Sequence, residues 1–306
     1  MLPVSCYLFF EKRETAVKRQ RKEERWGYFF LIPWALFFFV FTLFPFLFGI
    51  LVSFTDYSLS GMRFNGLANY RLIFTQTAFI RSTIATFSYA AIIIPLTIAL
   101  SLWISYEIHE RSGRFNSFVK ASLYLPGVTT QSALTIVWKF LLIPSFGLIA
   151  TLLARFGFHG SLLDSPASAI PIISVLIVLV TLGQPVILFT AAMNSIPVSY
   201  YEAAWLEGAS RFSVFRHITL PLISPTTKFI LVTNTIGILQ LFVVPYLMTG
   251  GGPAYRTSTL LLLVYNSAFI NGSFGYASAI GNILFIMTSL LAVIQFWIMR
   301  RDIVEY

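Results

Sequence analysis

Tyr201-Glu202-Ala203-Ala204-Trp205-Leu206-Glu207-Gly208, followed ten residues on by Ile218-Thr219-Leu220-Pro221, sets a short charged segment between two long apolar ones. Ser199 and Glu202 have the S-x-x-E spacing of a capping box, which predicts a helix that starts just after Pro197. Tyr201, Trp205, Gly208 and Phe212 recur at helical spacing as one aromatic stripe with a glycine gap, and Gly208 marks a turn. The expectation is two short helices joined near Gly208. Periodicity alone fits either a helix lying on a lipid surface or a docking surface.

The flanks decide what the segment is embedded in. Of 306 residues, 57% are hydrophobic and only 11% charged, and the mean hydropathy is +0.79. That composition belongs in a bilayer. Charge-poor runs of spanning length fall at about 28–52, 81–107, 118–142, 169–193, 220–248 and 276–299, each able to cross roughly 30 Å of hydrocarbon. The expected fold is all-α, a polytopic bundle of six transmembrane helices in a domain from residue 26 to 300. A basic tail at 1–25 and a short tail at 301–306 flank it. The apolar stretch Leu260–Val264 is too short to span and is expected to pack on the bundle or lie at the interface.

Basic residues give the orientation. With the N-terminus inside, 15 of the 21 Lys and Arg fall on the inner side, and six (Arg63, Arg71, Arg81, Lys139, Arg155 and Arg256) on the outer. Both termini and the Glu202 segment are therefore expected in the cytoplasm. About half of the net charge of +9 sits in Lys12, Arg13, Lys18, Arg19, Arg21, Lys22 and Arg25, which reads as an anchor at anionic lipid and requires no nucleic acid. Residues 1–10 are apolar but precede these charges, the reverse of a signal peptide, and read as an interfacial or poorly ordered segment.

Several chemistries are not encoded. Cys6 is the single cysteine, and His109, His159 and His217 fall on separate loops, so no metal is expected. No G-x-x-x-x-G-K-[ST] phosphate loop occurs, so ATP hydrolysis is not expected of this chain. Gly250-Gly251-Gly252-Pro253 reads as a turn after a helix.

Glu202-Ala203-Ala204, Gly208 and Ile218-x-Leu220-Pro221 together resemble the EAA loop of bacterial ABC importer permeases. Further motifs are similar to the carbohydrate-importer permeases of the MalF/UgpA type over about residues 26–300: Phe64-x-Gly66-Leu67-x-Asn69-Tyr70, Gly147-Leu148-Ile149, Thr249-Gly250-Gly251-Gly252-Pro253 and Gly275-Tyr276-Ala277-Ser278-Ala279. Ala150 and Leu162 depart from the usual pattern, in the outer loops. The resemblance implies a type I ABC importer permease fold in a bacterial inner membrane. It implies a non-enzymatic chain that works with a second, related permease, two ATP-binding subunits that use ATP and Mg, and an external solute-binding protein. It also implies that the loop at about 194–219 docks on the ATPase, with Glu202, Ala203, Ala204, Gly208 and Arg211 at the contact.

The transported solute is expected to be a sugar or oligosaccharide; the alternative is a glycerophosphodiester or polyamine. Spans three to five carry only Lys120, Lys139 and Lys228, all near span ends, so a neutral solute is favoured. Polar groups inside spans are the candidates for contacting it. Thr181-Leu182-Gly183-Gln184-Pro185 interrupts span four, because Pro185 removes a donor and frees a carbonyl there. Thr181, Gly183 and Gln184 are therefore expected along the pathway, with Tyr124 in span three. In span five, Asn234 and Gln240 are six residues apart, about 120° from coincidence, so only one can point straight at a pore. The resemblance favours Gln240. Thr130, Gln131 and Asn282 are weaker candidates.

Overall fold

The computed structural model describes residues 30–58, 61–109, 113–157 and 160–299, so the basic tail, Met1–Phe10 and both termini lie outside the described residues. The chain divides into two compact units, the first ending at Val52 and the second beginning at Ser53. The sequence reading drew one domain from residue 26; contacts separate its first span from the rest.

Among its described residues, the first unit consists of the helix α1 (Phe30–Val52), 23 residues long. Trp34 stacks on Phe38, Phe37 on Phe41 and Phe44 on Phe48, each pair one turn apart. Residues Phe39–Leu43 form a π-helical turn, two residues ahead of Pro45. The wider turn relieves the clash of a proline ring with the carbonyl four residues back.

The second unit opens with a hairpin, β1 (Thr55–Ser58) and β2 (Gly61–Phe64), paired antiparallel with Thr55 opposite Phe64. The helix α2 (Ala68–Thr75) holds the hairpin through Asn69, whose buried amide donates to the carbonyls of Ser53 (2.9 Å) and Thr55 (2.8 Å). The Tyr70 hydroxyl lies 2.8 Å from Ser53 Oγ and accepts from Asn282 Nδ2 at 3.3 Å. The Asn69-Tyr70 motif and Asn282 thus tie chain segments together. Beyond them come α3 (Thr77–His109), α4 (Arg114–Val128), α5 (Gln131–Leu141), α6 (Leu148–Arg155), α7 (Pro166–Thr181) and α8 (Gly183–Asn194). The remainder is α9 (Val198–Leu206), α10 (Arg211–Leu222), α11 (Ser224–Leu239), α12 (Val243–Thr249), α13 (Leu260–Ile270) and α14 (Phe274–Met299).

The long helix α3 is the axis of this unit. Its Ala85, Tyr89 and Ile93 bury against Ile173, Ile177 and Val178 of α7 and against Ile238 and Val244. A second cluster joins Phe79 to Leu260 and Leu263 of α13 and Ala279 and Ile280 of α14. The short stretch from Leu260 accordingly packs on the bundle.

Among the described residues, α1, α3 and α14 are uninterrupted helices long and apolar enough to cross a membrane, at 23, 33 and 26 residues. Two further helix pairs are long and apolar enough only when each is taken together, and both are bent: α7 and α8 meet at 50°, and α10 and α11 at 67°. The expected third span is two helices, α4 and α5, separated at Thr129 and Thr130, whose extended backbones follow Pro126. The expected fifth span is shorter than hydropathy suggested: α11 stops at Leu239, and α12 is a separate helix closed by Gly250 in the left-handed conformation (φ 61°). Hydropathy counts apolar length and does not register such breaks.

Lys139 and Lys228 serve these helix ends. Lys139 Nζ donates to the Leu247 carbonyl at 2.7 Å, and Lys228 Nζ to the Met299 carbonyl at 2.7 Å, so each lysine satisfies an end carbonyl of another helix.

Candidate functional site: a helical corner and a polar cavity

The first site is the corner between α9 and α10. Helix α9 begins at Pro197, and no side chain caps it; the expected capping box is not made. Pro197 supplies the extended turn into the helix (ψ 133°), which places Ser199 and Glu202 inside the first turns and leaves Glu202 exposed. The helix closes on a Schellman turn: Ala209 N–H donates to the Ala204 carbonyl (2.9 Å), Gly208 N–H to that of Trp205 (3.0 Å), and Gly208 has φ +77°. Ser210 then caps α10, its Oγ accepting from Ser213 N–H at 3.3 Å.

This reversal breaks the expected aromatic stripe. Tyr201 turns inward, with its hydroxyl 3.4 Å from the fully buried Thr219 Oγ1, and packs on Phe189, Met193, Ile196, Ile223 and Ile230. Trp205 is 50% exposed, Leu206 90% and Phe212 68%. Ala203, Gly208 and Arg211 are exposed with Glu202. Ala204 is not: it is 8% exposed, because the inner face of α9 needs a small residue, and its part in the corner is packing.

Helix α10 contains a second π turn, Phe215–Thr219, again two residues ahead of a proline, Pro221. The Ile218-x-Leu220-Pro221 motif is therefore where α10 widens before its 67° bend to α11. Sequence reasoning missed Tyr106. At the end of α3 its ring meets Phe215 edge-on at 4.8 Å, and its hydroxyl donates to the Arg211 carbonyl at 3.5 Å. A contact across 105 residues leaves no local signal.

The second site is a cavity of about 420 Å³ lined by α4, the start of α5, α7, α8 and α11. Tyr124, Thr181, Gly183, Gln184 and Asn234 all border it, together with Thr129, Gln131 and Thr233. None of its lining residues is charged. Gln240 is not among them. It ends α11, is exposed, and borders a different cavity between α11, α13 and α14. The angular separation of Asn234 and Gln240 sends the two amides to different spaces.

The break at Leu182 opens the wall. Pro185 has no N–H to offer the Thr181 carbonyl, so the ladder stops there and the helix turns by 50°. Thr181 Oγ1 is engaged with the Ile177 carbonyl at 2.8 Å, and Gln184 supplies the amide side chain on this wall. Gly183 has a packing duty besides. A β-carbon there would stand 2.5 Å from the Leu123 carbonyl oxygen and 2.6 Å from Tyr124 Cα, so only glycine lets α8 and α4 approach this closely.

Residues 117–302 match the family described as binding-protein-dependent transport system inner membrane component. A probable ABC transporter permease protein, YesP of Bacillus subtilis, is 31% identical over 283 residues, 90% of this chain and 91% of its own. The multiple sugar-binding transport system permease protein MsmF of Streptococcus mutans is 29% identical over 90% of this chain and 96% of its own. In three dimensions the chain is similar to a subunit of a bacterial alginate ABC transporter, solved in complex with an alginate pentasaccharide-bound periplasmic protein. The TM-score is 0.82 at 22% identity, covering 92% of this chain and 96% of that one.

Proposed function

The chain belongs to the family of binding-protein-dependent transport system inner membrane components, and from this premise we infer that it is a permease subunit of an ATP-driven importer of a sugar or oligosaccharide. The observation that carries the mechanism is mechanical: α8 and α11 each run from the Glu202 corner to the polar cavity. Helix α8 starts with Gln184 at the cavity and leads through Ser195, Ile196 and Pro197 into α9; its 12 residues span roughly 18 Å. Helix α11 leaves the bend at Ile223 and presents Asn234 to the same cavity.

In this reading the exposed face of α9, Glu202 with Ala203, Trp205 and Gly208, docks on a cytoplasmic ATP-binding subunit, and Arg211 lies beside it. Two such subunits, a second related permease and an external solute-binding protein complete the importer. The six apolar segments cross a bacterial inner membrane, with α4 and α5 as one broken span and both termini in the cytoplasm. ATP and Mg belong to the partner subunits. Closure of the ATP-binding pair displaces the corner, α8 and α11 carry that displacement to the bends, and the cavity changes the side to which it opens.

A cavity bordered by three amides, a phenol and three threonine hydroxyls, without a cation, suits a neutral polyhydroxy solute better than a phosphodiester. Replacing Gln184 or Asn234 by leucine is expected to lower uptake about tenfold each, the worth of one hydrogen bond left unmade at a desolvated site. Co-purification of the ATP-binding subunit should persist. Unchanged uptake and unchanged substrate-stimulated ATP hydrolysis in both variants would remove this cavity from the pathway.

A further inference from the structure

Two polar bonds between α11 and α14 belong to neither site. Gln295 Nε2 of α14 donates to Thr235 Oγ1 of α11 at 2.9 Å, and Thr235 is buried. One turn further along α14, the Met299 carbonyl accepts from Lys228 Nζ, seven residues before Thr235 on α11. The two helices run antiparallel here and are fastened at two points. Lys228 lies in the second turn of α11, just past the 67° bend.

This stretch of α14 is not enclosed by packing. Val293, Phe296, Trp297 and Ile298 are each 60% exposed or more, so the attachment of this end leans on the two bonds. Gln295 is also a poor choice for stability alone. Its Oε1 is buried without a partner, and the Thr235 hydroxyl already donates to the Leu231 carbonyl at 2.8 Å. Leucine at 295 would remove a half-satisfied amide and leave that hydroxyl paired.

The other end of α14 is fixed to the β1–β2 hairpin. Asn282 Nδ2 donates to the Tyr70 hydroxyl, the Phe274 ring lies 5.3 Å from that of Tyr57, and a β-carbon at Gly275 would overlap the Thr55 carbonyl. Between Gly275 and Met299 the helix is unbroken and contains no proline, a rigid length of roughly 36 Å. On α11, neighbouring residues face different elements: Asn234 borders the Gln184 cavity, and Thr235 holds α14.

We propose that Gln295 and Lys228 are positioning residues that make α14 travel with α11, so that a displacement of the Glu202 corner reaches the β1–β2 hairpin at the far end of α14. This route rests on the reading of that corner as the docking surface of the ATP-binding subunit. It gives the motion of α11 two outputs, the polar cavity and the hairpin.

The test uses the complete reconstituted complex with one reporter thiol on the hairpin, Met62→Cys, in a chain that also carries Cys6→Ser. Met62 is half exposed and pairs with Tyr57 across the hairpin. The rate at which a water-soluble maleimide modifies position 62 is compared without nucleotide and with a non-hydrolysable ATP analogue. In this parent the rate is expected to change at least about fivefold, and in Gln295→Leu and Lys228→Met less than about twofold. Both variants should keep the parental Tm, affinity for the analogue and co-purification of the ATP-binding subunit. Thr235→Ser retains the acceptor and should retain the parental change. A parental change in both Gln295→Leu and Lys228→Met overturns the route, as does a hairpin whose rate ignores nucleotide in the parent. A loss that comes only with a lowered Tm or a missing ATP-binding subunit makes the bonds simple packing and overturns it too. If Glu202→Lys keeps both the subunit and the parental change, the corner reading falls, and the route from the corner with it.

Discussion

Gly208→Asn is expected to fold, assemble and yet import at least about tenfold more slowly than wild type, whereas Gly208→Val should also weaken the corner itself. The two substitutions separate conformation from space. At φ +77° an ordinary L-residue pays about 1–2 kcal/mol, asparagine tolerates the region best, and a β-branched valine worst. A side chain at 208 meets nothing within 4 Å in this chain, so bulk there has no cost inside the subunit. A transport deficit in the asparagine variant therefore reads the closeness of the docked ATP-binding subunit. Glu202→Lys provides the companion: Glu202 is exposed, so its reversal should leave thermal stability within about 0.5 kcal/mol while reducing co-purification of the ATP-binding subunit. If Gly208→Asn and Glu202→Lys both retain the partner and wild-type uptake, the corner is not the coupling surface.

Gly183→Val is expected to have the larger effect on the fold. Its Cβ would lie 2.5 to 2.8 Å from backbone atoms of Leu123 and Tyr124, and backbone cannot rotate away as a flexible side chain can. Helices α4 and α8 must separate, at a cost of about 1–3 kcal/mol or more, and the cavity wall between Tyr124 and Gln184 moves with them. Purified complex should show a lowered Tm, and uptake should be lost. Gly127 on α4, the helix that Gly183 faces, is the control, because its added Cβ would stand 3.5 Å from the Val180 carbonyl oxygen, an ordinary contact, and Gly127→Ala should be tolerated. Wild-type Tm and uptake in Gly183→Val would show that the α4–α8 crossing is not tight.

Much of the plan was legible along the chain because it is written in local patterns. The apolar runs of spanning length at α1, α3 and α14, the turn at Gly208, the interruption at Gly183-Gln184-Pro185 and the short Leu260 helix all follow from spacing and from glycine and proline stereochemistry, and the structure has each of them. The capping box failed because Pro197 took the position that Ser199 was assigned, and the aromatic stripe holds from Tyr201 to Trp205, whose rings lie 6.2 Å apart, but not to Phe212, because helical spacing has no meaning across a left-handed residue. The fifth span was drawn too long because Gln240-Leu241-Phe242 is apolar enough to hide a break.

The sequence by itself determined a membrane-embedded helical chain with a charged corner between two interrupted apolar segments, since composition and periodicity act through water, lipid and the nearest turns. Only the tertiary structure decided that Tyr124, Gln184 and Asn234 share one cavity while Gln240 borders another, that Tyr106 holds the corner from a helix 105 residues away, and that Gly183 is a point of close approach. Those are relations between surfaces distant along the chain, set by how bent helices pack, and no local pattern carries the angle at which two helices will cross.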